Sequence, residues 1–267
     1  VAGAKFKKHG LADRVTVVVA DATAVALDGV DAVFCDPARR TGRGRVFDPA
    51  QYSPPWTFVA GLASRVPMTL LKLAPGIDHG LLPPGAEIEL VSVNGSVVEA
   101  ACWSGPLAAV PRRATVLRSL GAAADPGPVG VNELTGSGTL TAPVAPVRRY
   151  LYDPDGAVVR SHLVAEFAGT VDGSIADPTI AYVYADRAVP TPFAHCYQVI
   201  ETLPVALKRL RAALRERDIG AVTILKRGSA HDVERLRHDL RLTGTTSAVL
   251  VLTRVAGAPA MLLCQPV

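Results

Sequence analysis

The sequence predicts an α/β protein of two unequal units, a parallel sheet that closes in an antiparallel hairpin followed by a smaller α/β unit. Three observations carry this reading. Two apolar runs, Val30 to Cys35 and Met68 to Leu73, each stop at a polar turn, as buried strands do where an open α/β sheet meets its ligand. Asn94-Gly95 separates two further runs, Glu87 to Val93 and Ser96 to Trp103, and Asn-Gly between strand-like runs is a strong hairpin signal. A stretch repeating leucine at Leu203, Leu207, Leu210 and Leu214, with Lys208, Arg209, Arg211, Arg215 and Arg217 on its other faces, predicts an amphipathic basic helix in the second unit.

In order, Lys5 to Leu11 reads as the tail of a helix stopped by Gly10, so the chain opens as though entered mid-fold. A strand is predicted over Val15 to Ala20, ending in Asp21-Ala22-Thr23, and the next over Val30 to Cys35. Gly42 to Arg45 forms a basic loop, and Tyr52-Ser53-Pro54-Pro55-Trp56 leads into a short helix ending near Arg65. After the strand Met68 to Leu73 come a Pro/Gly turn region, the hairpin, and a possible extension of the sheet over Arg112 to Leu117. Gly121 to Pro146, rich in Gly, Pro, Ala and Thr, is expected to be a loop-rich connection, which divides the chain into 1–146 and 147–267. The second unit should hold a helix from Asp155-Gly156 to Phe167, strands over Ile180 to Tyr184 and His195 to Glu201, and the leucine helix over Pro204 to Asp218. A strand over Ala221 to Leu225, a helix over Asp232 to Leu242, and strands over Ala248 to Thr253 and Ala260 to Cys264 complete it.

With 49% hydrophobic residues, 267 residues are ample for one or two cores. No run approaches the roughly 20 apolar residues of a membrane span, and Val1 to Lys8 lacks the apolar centre of a signal peptide, so the expected location is cytoplasmic, away from membranes. Cys35, Cys102, Cys196 and Cys264 lie far apart without metal-ligand spacing, which predicts buried thiols, no zinc or other metal site and no disulfide framework. A net charge of +4 and a pI of 9.0 allow a polyanionic partner without requiring one.

Several stretches together resemble one family. They are Ala20-Asp21-Ala22-Thr23, Phe34-Cys35-Asp36-Pro37-Ala38-Arg39-Arg40, Lys72-Leu73-Ala74-Pro75-Gly76, and Ser92-Val93-Asn94-Gly95 with Glu99 and Trp103. Tyr150-Leu151-Tyr152-Asp153-Pro154-Asp155-Gly156-Ala157 and Lys226-Arg227-Gly228 extend the likeness into the second half. The chain resembles the bacterial class I S-adenosylmethionine-dependent methyltransferases that carry a C-terminal THUMP-like domain. The resemblance implies a partial Rossmann-like methyltransferase sheet over 1–146, a THUMP-like domain over 147–267, S-adenosylmethionine as cofactor and RNA as partner. In this class the glycine-rich cofactor loop and the ribose-binding acid precede the matched region, so both would lie before Val1, and residues 1–267 by themselves are expected to bind the cofactor weakly or not at all.

Residue by residue, the resemblance implies that Asp21 accepts the adenine amino group beside the backbone N–H of Ala22. Asp36-Pro37 matches the Asp-Pro-Pro or Asn-Pro-Pro corner of amino-group methyltransferases, where an oxygen and a backbone carbonyl orient the target nitrogen toward the methyl. Asp36 would then serve both cofactor and catalysis, with Pro37 and Arg39 catalytic. Arg39 stands where the family has an aromatic ring, and its guanidinium plane suits a base or a phosphate. Arg40, Lys72, Pro75, Lys226 and Arg227 would face the substrate. Uracil C5 chemistry is disfavoured, because Ser92-Val93-Asn94 lacks the cysteine that such enzymes need. Plainer readings stay open: Asp21 as a helix cap, Asp36-Pro37 as a turn, and the basic helices as a solvated face interspersed with Glu216, Asp218, Asp232, Glu234 and Asp239. The functions expected are methylation of an RNA base at an exocyclic amine or, as alternatives, non-catalytic RNA or partner binding and small-molecule methylation.

Overall fold

The computed structural model describes residues 10, 12–38, 40–41, 44–45, 52–119 and 129–267. The expected helix over Lys5 to Leu11 lies almost wholly outside them, as does Arg39.

The first sheet holds β1 (Ala32–Cys35), β4 (Met68–Leu73), β5 (Glu87–Val93), β6 (Ser96–Trp103), β7 (Arg112–Ser119) and β8 (Val129–Gly136), in the order β1-β4-β6-β5-β7-β8. β2 (Arg40–Thr41) and β3 (Gly44–Arg45) form a separate small ribbon. β1 and β4 run parallel with Cys35 opposite Leu71. Strand alternation fixes the faces: Thr69, Leu71 and Leu73 are buried, whereas Met68, Leu70 and Lys72 are half-buried on the other side. α1 (Trp56–Arg65) follows Pro54-Pro55 and buries Val59 and Leu62. Asn94 and Gly95, at φ 49° and 84°, make the left-handed pair that joins β5 to β6. β7 returns parallel to β5, extending the sheet as the sequence suggested.

Two expectations in this half are corrected. Val15 to Ala20 is not a strand; Val17, Val18 and Val19 are 52, 72 and 101% exposed. Its β-branched composition suits a strand, but a strand exists only by pairing, and no described strand lies beside it. Conversely, Gly121 to Pro146 is not all loop, because Val129–Gly136 pairs along its whole length with β7.

The second sheet contains β9 (Tyr150–Pro154), β10 (Ser174–Ile175), β11 (Val183–Ala185), β12 (Ala194–Pro204), β13 (Ile219–Lys226), β14 (Thr246–Val255) and β15 (Ala258–Pro266), ordered β10-β11-β9-β12-β15-β14-β13. The helix expected to Phe167 is two helices, α2 (Gly156–Arg160) and α3 (Val164–Thr170), divided at His162 with φ 61°. α4 (Leu207–Glu216) starts later than expected, since Leu203 and Pro204 complete β12. α5 (Val233–Leu240) is capped by Asp232, whose carboxylate accepts the N–H groups of Glu234 and Arg235.

Apolar burial ties these parts together. One cluster joins Leu71, Leu73, Ile88 and Leu90 of the first sheet to Tyr152, Val158, Leu163 and Phe167. A second packs Leu210, Leu214, Leu236 and Leu240 of α4 and α5 on Leu250, Leu252, Met261 and Leu263. Each such side chain contributes about 1.5–3 kcal/mol when fully buried. On the opposite face of the second sheet, Ile180, Tyr182 and Tyr184 cover Val251 and Leu262.

Candidate functional site

Parallel pairing of β1 with β4 sets their carboxyl ends side by side, so Asp36, one residue past Cys35, stands level with Lys72. Lys72 Nζ lies 3.6 Å from Asp36 Oδ2 and 3.4 Å from Glu99 Oε2, bridging three adjacent strands. The side chains are 47, 35 and 34% exposed for Asp36, Lys72 and Glu99, so solvent screens these contacts. They orient Asp36 more than they stabilise the fold.

The turn after Asp36 is held firmly. Pro37 is buried, and Ala38 exchanges two backbone hydrogen bonds with Ser53, its N–H donating at 2.7 Å and its carbonyl accepting at 3.2 Å. Beside Ser53, Tyr52 is buried and meets Trp56 edge-on at 6.3 Å, anchoring this corner to α1. Pro75 is half-buried in the turn after β4, where the Ile77 N–H donates to the Ala74 carbonyl at 3.0 Å. Asp36, Pro37, Lys72 and Pro75 therefore gather around the ends of two neighbouring strands. Arg39 lies outside the described residues, and Arg40 is placed only as backbone in β2.

Asp21 and Ala22 are exposed. Asp21 Oδ1 accepts the Thr23 N–H at 2.9 Å and the Thr23 hydroxyl at 2.8 Å, capping the turn Ala22–Ala24. These bonds, the backbone one foremost, hold its carboxyl below the usual aspartate range. No described hydrogen bond falls on Oδ2. No described hydrogen bond or ion pair joins Asp21 to the Asp36 group.

Lys226 and Arg227 differ sharply in their surroundings. Lys226 is exposed and its Nζ donates to the His231 carbonyl at 3.2 Å. Arg227 instead donates to Asp153 Oδ1 at 2.8 Å through Nη2 and at 3.1 Å through Nε, and its guanidinium lies 5.3 Å from the centre of the Tyr182 ring. That ion pair spans 74 residues of chain and locks the end of β13 to β9.

Thiol chemistry finds no support here. Burial pushes Cys102 up to about 11 and Cys264 up to about 12, which leaves both protonated at neutral pH.

Sequence reasoning gave Glu99 no role at the site. It lies on a hairpin strand, and only the pairing of β6 with β4 brings it to Lys72.

The class these observations define is a methyltransferase-like α/β sheet joined to a THUMP-like unit. Residues 194–266 match the THUMP domain-like family. The chain is 37% identical over 234 residues to two proteins from Mycobacterium tuberculosis, strains CDC 1551 / Oshkosh and H37Rv, each named an uncharacterized S-adenosylmethionine-dependent methyltransferase. Each match takes in 84% of this chain and 60% of the relative, so the chain spans about three-fifths of the length of the curated relatives it matches. A crystal structure of a candidate methyltransferase from Porphyromonas gingivalis W83 shares the fold, with a TM-score of 0.65 at 19% identity, covering 88% of this chain and 59% of that one. The chain is thus similar to S-adenosylmethionine-dependent methyltransferases, and its residues 194–266 to the THUMP domain-like family, in agreement with its motifs.

Proposed function

We propose that this chain carries the substrate-orienting part of an S-adenosylmethionine-dependent methyltransferase acting on an exocyclic amine of an RNA base. The observation that carries the reading is Asp36, a half-exposed carboxylate at the end of a parallel strand, steered by Lys72 and followed by a turn pinned to Ser53. Such a carboxylate accepts the N–H of a flat aromatic amine and turns its nitrogen toward the methyl donor, so the gain is mainly orientation. It also accepts the proton that the methylated nitrogen releases. S-adenosylmethionine, when bound, supplies an electrophilic methyl on a sulfonium. The described residues that fit it are on the adenine side, where the exposed Asp21 carries no described bond on Oδ2 and Ala22 is exposed beside it.

RNA is the partner favoured by the match of residues 194–266 to the THUMP domain-like family. The exposed basic side chains Lys208, Arg209 and Arg215 on α4 support it. In this reading residues 1–146 form the later part of the methyltransferase domain and 147–267 the THUMP-like domain, with Lys226 meeting phosphates, and Arg39 and Arg40 completing the substrate side.

The test is transfer of a labelled methyl from S-adenosylmethionine to RNA, with nucleoside mass spectrometry to find the modified atom. A longer polypeptide in which a glycine-rich cofactor loop and a ribose-binding acid precede these residues should yield an N-methylated base, and Asp36→Asn within it should lower kcat/KM by about a hundredfold through lost orientation. A label on carbon, a label on small molecules only, or an undiminished Asp36→Asn rate would overturn the assignment.

A further inference from the structure

The arginines of the second unit converge at a place the motifs did not mark. Between the carboxyl ends of α4 and α5 lies a small cavity of about 50 Å³, lined by Arg211, Arg215, Asp218, Arg241, Thr243 and Gly244 among others. Three arginines and one aspartate line it. Arg211 is already fixed, with Nε donating to the Asp239 carbonyl at 2.8 Å and Nη2 donating to the same oxygen. Arg215 and Arg241 are exposed, and no described carboxylate pairs with either. Asp218, the one acid in the wall, is drawn toward Thr245, whose N–H and hydroxyl both donate to Oδ2.

Arg241 adds an independent sign. It ends α5 at φ 50° and ψ 54°, a left-handed conformation that helix termini usually give to glycine or asparagine. A long charged side chain in that place carries a backbone cost, and such a cost at an exposed terminus points toward a role for the side chain.

We infer that this cleft is a binding site for a single phosphate group, held by Arg215 and Arg241 with Arg211 as its rigid wall. The size agrees. A cavity needs roughly 10–15 Å³ to admit a single water, so about 50 Å³ admits a few water-sized groups, the scale of one tetrahedral oxyanion and too small for a base or sugar. Guanidinium forks match phosphate oxygens in pairs, which makes arginine the fitting residue. The phosphate can belong to an RNA backbone, which extends the RNA reading above, or to a small phosphorylated ligand; the site itself does not depend on that reading.

The first arm titrates inorganic phosphate into the full chain and follows arginine Nε–Hε resonances by NMR. Arg215 and Arg241 should shift saturably while the exposed Arg209 and Arg235 do not. Arg241→Gly separates binding from folding, because glycine suits φ 50° and should leave the unfolding midpoint unchanged or higher. This variant should bind phosphate about tenfold more weakly or worse. Uniform shifts on all exposed arginines, or unchanged affinity in Arg241→Gly, would overturn the site. The second arm adds structured RNA to wild type and to Arg215→Gln with Arg241→Gly. If RNA displaces phosphate and the doubly substituted chain has a log–log salt slope shallower by roughly 1–2 units, the ligand is RNA backbone. If phosphate binds as predicted but RNA neither binds nor competes, the RNA reading fails, and the site stands as one for a small phosphorylated ligand.

Discussion

Glu87 is a carboxylate almost wholly inside the first sheet, its side chain 3% exposed, and it survives there through its donors. Burial pushes its carboxyl up, but Arg113 Nε at 2.7 Å and the N–H groups of Ala109 at 2.7 Å and Val110 at 3.1 Å more than offset this, so it titrates below the ordinary glutamate. Arg113 reaches Glu133 on β8 as well, so Glu87→Ala leaves a guanidinium with one partner and two stranded amides, at a cost of about 3 kcal/mol in urea unfolding. A depressed carboxyl contributes stability above its unfolded value that fades as pH falls through the lower folded value. The gap between wild type and Glu87→Ala should therefore narrow below the ordinary glutamate range; a gap constant down to acid-induced unfolding would remove the charge from the explanation. Single residues were unevenly legible in the sequence. Asp36 announced itself because an acid ended an apolar run, whereas Arg227 read as part of a phosphate track and its partner Asp153 went unseen because it lies 74 residues away. Asp21 read first as an adenine ligand with a cap as the plainer alternative, and the structure shows it capping the turn through Oδ1.

Among elements, those specified by local chemistry were readable and those specified by a distant partner were not. The hairpin at Asn94-Gly95 was legible because two adjacent residues supply both positive φ values. β8 was hidden among Gly, Pro and Thr because its strand character comes from β7, and Val15 to Ala20 misled because suitable composition met no neighbour among the described strands. One glycine from each sheet shows the same division. At Gly95 the demand is conformational, with φ 84° and open space around it, so Gly95→Ala should cost about 1 kcal/mol. Gly220 instead marks the irregularity where β13 joins β14, and a methyl there would lie 1.7 Å from the Gly244 carbonyl oxygen. Gly220→Ala should cost about 3 kcal/mol or prevent folding, because backbone must move. Chemical denaturation of both variants checks the order, and equal losses would mean that the two chain segments are not in close approach.

For the whole molecule, the main apolar cluster crosses the position where composition suggested a boundary, since Val158, Leu163 and Phe167 pack with Leu71, Leu73 and Ile88. Ser92 strengthens the junction by donating to the buried Asp155 at 2.9 Å, while Asp155 also caps α2 through the Ala157 N–H. Residues 147–267 produced alone would expose these three side chains, a loss of about 1.5–3 kcal/mol each against a typical total stability of about 5–15 kcal/mol. That piece should bind a hydrophobic dye and melt well below the full chain; an identical cooperative melt in both would show that the junction contributes little. The two-unit α/β class was readable because hairpin, strand ends and leucine helix are local patterns, while the shared core depends on contacts between residues far apart in sequence. The strand order of the second sheet also bears on how the protein is made. β12 is flanked by β9, about 40 residues earlier, and by β15, which leaves the ribosome after it. During synthesis one side of β12 therefore stays open until Ala258–Pro266 emerges, and nascent chains crowded on one message are exposed to mispairing through that edge.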